Sequence, residues 1–212
     1  MYPLKTTIAL LVTLLILSCG ENKSSQSRNV EREVIPQKLK IIVQPFTGLP
    51  SETTNYIVAD LRKIFANIEV RKPIELPKST LNESKTRHRA ELILDYLKKY
   101  TGKDEIIIGL THQDISTTKG AYKDWGVMGL SYCPGHTCIA STFRLKGHNK
   151  LEKFSKVAIH ELGHTQGLPH CADRNCLMRD ALGKDRFDEV SEFCSDCETF
   201  LQKKGWEVKK KD

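Results

Sequence analysis

The 212-residue chain has no internal repeat and no long low-complexity segment, which excludes solenoids, propellers and fibrous arrays. It has no apolar run long enough to cross a bilayer. The run from Ile8 to Leu17 spans ten residues, against about 20 for a spanning helix. No zinc-finger or other nucleic-acid motif accompanies the formal net charge of +7. That charge is spread out apart from the C-terminal stretch KKGWEVKKKD, which reads as a solvated helix end rather than a nucleic-acid site. Aromatic residues make up only 7%, yet 39% hydrophobic and 28% charged residues suit one soluble domain with a real core.

The chain opens with MYPLKTTIALLVTLLILSCG. A weakly positive start and a short apolar run are the marks of a signal peptide. Ile16-Leu17-Ser18-Cys19 resembles a bacterial lipobox, although Leu17 is bulkier than usual at its place. The resemblance implies cleavage after residue 18, a lipid on Cys19, and a chain anchored to a bacterial envelope membrane, facing the periplasm or the surface. A plain secretory signal is the alternative. Removing residues 1–18 takes away Lys5 alone and leaves a charge of +6. Residues 19–38, polar and rich in Ser and charge, read as a flexible tether reaching about 25 Å. The folded domain is expected over 39–212.

Within it, LKIIVQPF reads as a first strand. SETTNYIVADLRKIF reads as an amphipathic helix with Ser51 as N-cap. IEVRKPIELP suggests a second strand, interrupted by Pro73, and SKTRHRAELILDYLKKY a second helix. DEIIIGLT is a short apolar run that suits a buried strand. WGVMGLSY and CIASTFRLK suggest strands around the turn CPGHTC. LEKFSKVAIHELGHTQG and DEVSEFCSDCETFLQKKGW are helical in pattern. The alternation predicts an α/β or α+β domain with a mixed, twisted sheet.

The stretch HELGHTQGLPH, residues 160–170, holds three of the seven histidines. Residues four apart share a helix face, so His160 and His164 project side by side. Gly167 can end the helix in a left-handed turn that returns His170 as a third ligand. Three neutral imidazoles leave tetrahedral zinc one open position, the arrangement of catalytic rather than structural zinc. Water there would be acidified to a pKa of about 7, and Glu161 could take its proton and pass it to a leaving amine. By composition, the full pattern arises by chance in roughly one chain in a hundred thousand.

The extended motif resembles the metzincin signature, whose downstream Met would be Met178 in NCLM. The longer string HELGHTQGLPHCADRNCLM…CSDC closely resembles the archaemetzincins. DEIIIGLTHQDI and IASTFRLK also look like the strands preceding the active helix in that family. The likeness covers most of 39–205 and is most specific over 160–197, although the gap from Met178 to Cys194 is shorter than the family pattern. It implies a compact metallopeptidase-like fold, Met178 as a floor beneath the metal, and a second zinc held by Cys171, Cys176, Cys194 and Cys197. Two disulfides are the alternative for those four, since exported proteins oxidise their thiols. Cys133 and Cys138, flanking PGHT, are outside the family pattern and suggest a disulfide across a hairpin. His88, His112, His136 and His148 lack partners at ligand spacing and are expected to be surface or structural.

The expectation is therefore a monomeric, membrane-anchored peptidase with two zinc ions per chain, acting on peptides or proteins, with no nucleic-acid partner. Its rival is a non-proteolytic, zinc-stabilised binding lipoprotein, because fold passes between relatives more reliably than turnover. No propeptide offers an obvious zinc-blocking Cys or Asp.

Overall fold

The computed structural model describes residues 39–208. The expected signal segment, Cys19, the tether and the last four residues lie outside the described residues.

The framework is a five-stranded sheet of β1 (Lys40–Pro45), β2 (Ile68–Val70), β4 (Glu105–Thr111), β7 (Gly129–Ser131) and β8 (Thr137–Ser141), in the order β2-β1-β4-β8-β7. The first four in that order run parallel, and β7 runs antiparallel along the far edge. A second sheet has the order β3-β5-β6, from β3 (His88–Arg89), β5 (Ile115–Lys119) and β6 (Tyr122–Val127). The helices are α1 (Ser51–Leu61), α2 (Ala90–Lys98), α3 (Lys150–Thr165) and α4 (Ser195–Gln202).

Strand side chains alternate between faces, and that period sorts the core into two layers. Ile41, Val43, Ile106 and Ile108 face α1 and α3, together with Cys138 and Ala140. Ile42, Ile107 and Ile139 face Ile93, Leu94 and Leu97 of α2. A strand apolar on both faces reads as a continuous run, which is why IIV and III mark the two central strands.

Several elements differ from the sequence expectation. Helix α1 begins at Ser51 itself, after Pro50 at ψ 139°, and Ser51 makes no capping bond. Residues 88–89 pair as a strand rather than joining α2. WGVMGLSY is split, because β6 pairs with β5 while β7 pairs with β8. The strand in CIASTFRLK stops at Ser141, whose hydroxyl donates to Gln113 O (2.6 Å) and accepts from Phe143 N–H (3.1 Å). In the C-terminal stretch only 195–202 is helical.

Candidate metal centre

Helix α3 carries His160 and His164 on its last turns. Its first turn is fixed by Lys153, 4% exposed, whose Nζ meets Asp185 (3.1 Å) and Asp188 (2.5 Å). Its end comes at Gly167, at φ +90°, where the chain turns back.

His160, His164 and His170 gather with one ligand atom each within 4.8 Å of the others. His160 Nδ1 lies 2.7 Å from Leu177 O, and His164 Nδ1 lies 2.7 Å from Leu168 O. A carbonyl only accepts, so each Nδ1 carries the proton and each Nε2 keeps its lone pair. Those two Nε2 atoms are 3.0 Å apart. Two lone pairs aimed at each other repel unless a cation lies between them. Tetrahedral zinc would hold neighbouring nitrogens about 3.3 Å apart, so the imidazoles present fit it. The His170 ring completes the group, its centroid 4.7 Å from that of His164 and 5.4 Å from that of His160. Its side chain is 47% exposed, and Asp180 Oδ2 stands 3.9 Å from its Nδ1.

Burial pushes the His160 pKa down to about 3, with His164 adding to the effect, and lowers that of His164 in the same direction. Both rings therefore stay neutral and able to ligate near neutral pH. Glu161 is 7% exposed, and burial pushes its carboxyl up to about 8, against the opposing hydrogen bond that Ser131 Oγ donates to its Oε2 (2.8 Å).

Met178 is fully buried beneath this turn. A Cβ on Gly163 would come within 2.8 Å of its Sδ, so the glycine inside HELGH makes room for the methionine. The three histidines and Glu161 line a cleft of about 520 Å³, shared by Gly129 and Ser131 of β7, Trp125 of β6, and Phe187.

Cys171, Cys176, Cys194 and Cys197 form a second ligand group, and all four thiols are free. Cys171 Sγ and Cys194 Sγ are 3.7 Å apart. The edge of a zinc–thiolate tetrahedron is about 3.8 Å for a Zn–S bond of about 2.3 Å. Backbone N–H groups of Cys194 and Met178 point at Cys176 Sγ (3.3 and 3.4 Å), and that of Asp173 at Cys171 Sγ (3.4 Å). Donors aimed at sulfur stabilise thiolates. Burial nonetheless holds the Cys176 thiol up at about 11 and also raises that of Cys197. Four sulfurs this close need a shared cation in order to ionise together, so this donor set also fits zinc.

The expected Cys133–Cys138 bridge is not formed. Cys138 on β8 turns into the core against α3, while Cys133 lies exposed beyond the strand with Sγ near Leu168 O (3.8 Å). Among the other histidines, His88 Nδ1 meets Thr80 Oγ1 (2.6 Å) and His136 Nδ1 meets Glu105 O (2.9 Å). His112 pairs with its neighbour Gln113. Neither ligand group includes them or His148.

Sequence reasoning missed Ser131, Gly129 and the carbonyls of Leu168 and Leu177. A backbone acceptor has no sequence signature, and a serine 30 residues before Glu161 is marked only by pairing that the fold creates.

The model of Peptidase family M54 matches residues 44–203. An archaemetzincin of Methanopyrus kandleri is 33% identical over 137 residues, 63% of this chain and 76% of the relative. One of Nanoarchaeum equitans is 31% identical over 159 residues, 74% of this chain and 87% of the relative. The crystal structure of the Methanopyrus kandleri archaemetzincin superposes with a TM-score of 0.65 at 29% identity, covering 80% of this chain and 98% of that one.

Proposed function

The chain belongs to peptidase family M54, the archaemetzincins, and is a zinc metallopeptidase; on that premise we propose how its residues divide the work. His160, His164 and His170 hold the catalytic zinc, Glu161 is the general base, and the four cysteines hold a second, structural zinc. When bound, zinc supplies Lewis acidity, bringing the pKa of water towards about 7 and polarising the scissile carbonyl. Leu177 O and Leu168 O fix the tautomers of His160 and His164, and burial keeps both rings neutral. In its ionised form Glu161 accepts the proton of the attacking water and returns it to the leaving amine nitrogen. Phe187 and Met128 give the cleft an apolar lining.

The substrate peptide pairs with β7, the edge of the larger sheet. Among the described residues β7 has only β8 as a partner. Met128 and Tyr132 bond across to Ser141 and Thr137. By antiparallel alternation, Gly129 and Ser131 then present their N–H and C=O groups to the open edge.

The observation that carries this reading is the pair of Nε2 lone pairs 3.0 Å apart, with a buried carboxylate on the next residue. The test exposes the zinc-loaded protein and Glu161→Ala to a diverse peptide mixture. Products from the native chain alone are expected. Folded, zinc-loaded proteins that both leave the mixture intact would favour the non-proteolytic binding lipoprotein. Elemental analysis should find two zinc ions per chain, and one would remove the structural site.

The sequence pattern of residues 1–38 supports export, lipidation at Cys19 and attachment to the envelope through the tether, with residues 39–212 acting as a monomeric domain. Incorporation of labelled palmitate should occur in the native chain and be lost in Cys19→Ala. Light scattering of the purified protein should give the mass of one chain.

A further inference from the structure

Resting on the proteolytic reading, we propose that Ser131 is a positioning residue that couples the substrate-binding edge strand to the general base. Gly129 and Ser131 are two apart on β7, so both turn the same face towards α3. Their partners across the ladder, Ala140 and Cys138, belong to the same core layer as α3. The inner face of β7 is built around one side chain, that of Glu161. At Gly129 there is no room for a side chain: a Cβ would stand 2.5 Å from Glu161 Oε1 and 2.6 Å from its Cγ. At Ser131 the side chain is small and polar, and its hydroxyl donates to Glu161 Oε2 at 2.8 Å. One residue admits the carboxylate and the other sets its rotation.

The outer edge of these two residues carries backbone groups that no other strand pairs with among the described residues, and that a peptide would meet. A peptide paired there is thus placed relative to the same strand that places the base. Proton bookkeeping stays simple. Ser131 keeps its proton and engages only Oε2, which leaves Oε1 to accept the proton of water and release it to the leaving group. The far end of the strand is anchored too, by Tyr132 O–H donating to Asp95 of α2 (2.7 Å).

Without the hydroxyl, the carboxylate can turn about its last bond and would spend less time in the productive orientation. Proton transfer would then suffer while substrate binding would not. The test compares the native chain, Ser131→Ala, Ser131→Thr and Glu161→Ala, all zinc-loaded, on the best-cleaved member of a peptide mixture. Ser131→Ala should lower kcat by about 10- to 100-fold with KM and zinc content unchanged and the melting temperature lowered by only a few degrees. Ser131→Thr, which keeps the hydroxyl, should recover most of the loss. A crystal structure of Ser131→Ala should show the Glu161 carboxylate rotated or in several orientations. An unchanged kcat, or a loss confined to KM, overturns the proposal. If the native chain cleaves no peptide, the proteolytic reading fails separately. The crystal structures then decide the role of Ser131, and a carboxylate held identically in both would end it.

Discussion

His170 and Cys171 are consecutive residues, yet they serve ligand groups built on opposite lines. The histidine group opens onto a cleft, has a carboxylate beside it, and keeps one ring 47% exposed. The cysteine group has no carboxylate among its ligands, and backbone N–H groups converge on its sulfurs. The first set of ligands leaves space for a reactant; the second uses all its directions on the protein. The two also share a segment. Leu177, whose carbonyl fixes His160, lies between Cys176 and Met178, and Cys171 N–H bonds to Met178 O (2.8 Å). One centre thus stiffens the loop that aligns the other.

The contrast can be broken most sharply by removing one ligand from each group. His164→Ala should abolish peptide cleavage and one zinc per chain while leaving the melting temperature nearly in place. Cys176→Ala should remove the other zinc and lower the melting temperature by about 10 °C or more, since structural zinc contributes directly to folding. Calorimetry with elemental analysis reads both, and equal melting losses would erase the distinction.

A smaller effect is expected inside the motif. Gly163→Ala brings a methyl within 2.8 Å of Met178 Sδ and should cost about 1–3 kcal/mol in urea unfolding, with some loss of activity as the floor shifts. A neutral result would mean that Met178 can move aside freely.

Acid and alkali should both destabilise this site once metal is stripped away, through different groups. His160, held near 3 by burial, stays neutral in the fold but binds a proton once unfolded, and His164 is shifted the same way. Their stabilising contribution is lost as pH falls below about 6.5, by up to about 1.4 kcal/mol per pH unit for each ring. Glu161, raised to about 8, binds its proton more tightly folded than unfolded. Its contribution is full below about 4.5 and is lost as pH rises towards 8. Between those limits two imidazoles outweigh one carboxyl, so stability should peak near pH 6.5. Glu161→Gln should flatten the alkaline side and steepen the acid side, where the carboxyl no longer offsets the imidazoles, and denaturation midpoints across about pH 4.5–8.5 check this.

The smallest change is expected at the strand anchor. Tyr132→Phe removes the partly exposed bond to Asp95 and should cost about 0.5–1.5 kcal/mol, with both zinc ions retained. A loss of zinc would show that the edge strand supports the metal centre more directly.

Much of the site was legible in the sequence because its ligands are local. Positions 160, 164 and 170 are related by one helix period and one turn, so spacing alone aligns them. The central strands were legible because both their faces are buried. The split of WGVMGLSY was not, since a run of residues does not reveal that it changes partners at Met128. Nor was the separation of Cys133 from Cys138, which follows from the face to which β8 turns its side chains. By itself the sequence determined the histidine spacing, the carboxylate beside it and the family, because these rest on short-range geometry. Only the tertiary structure decided which carbonyls fix the imidazoles, how four distant sulfurs meet, and that Ser131 reaches Glu161, because each depends on segments brought together by sheet pairing and packing.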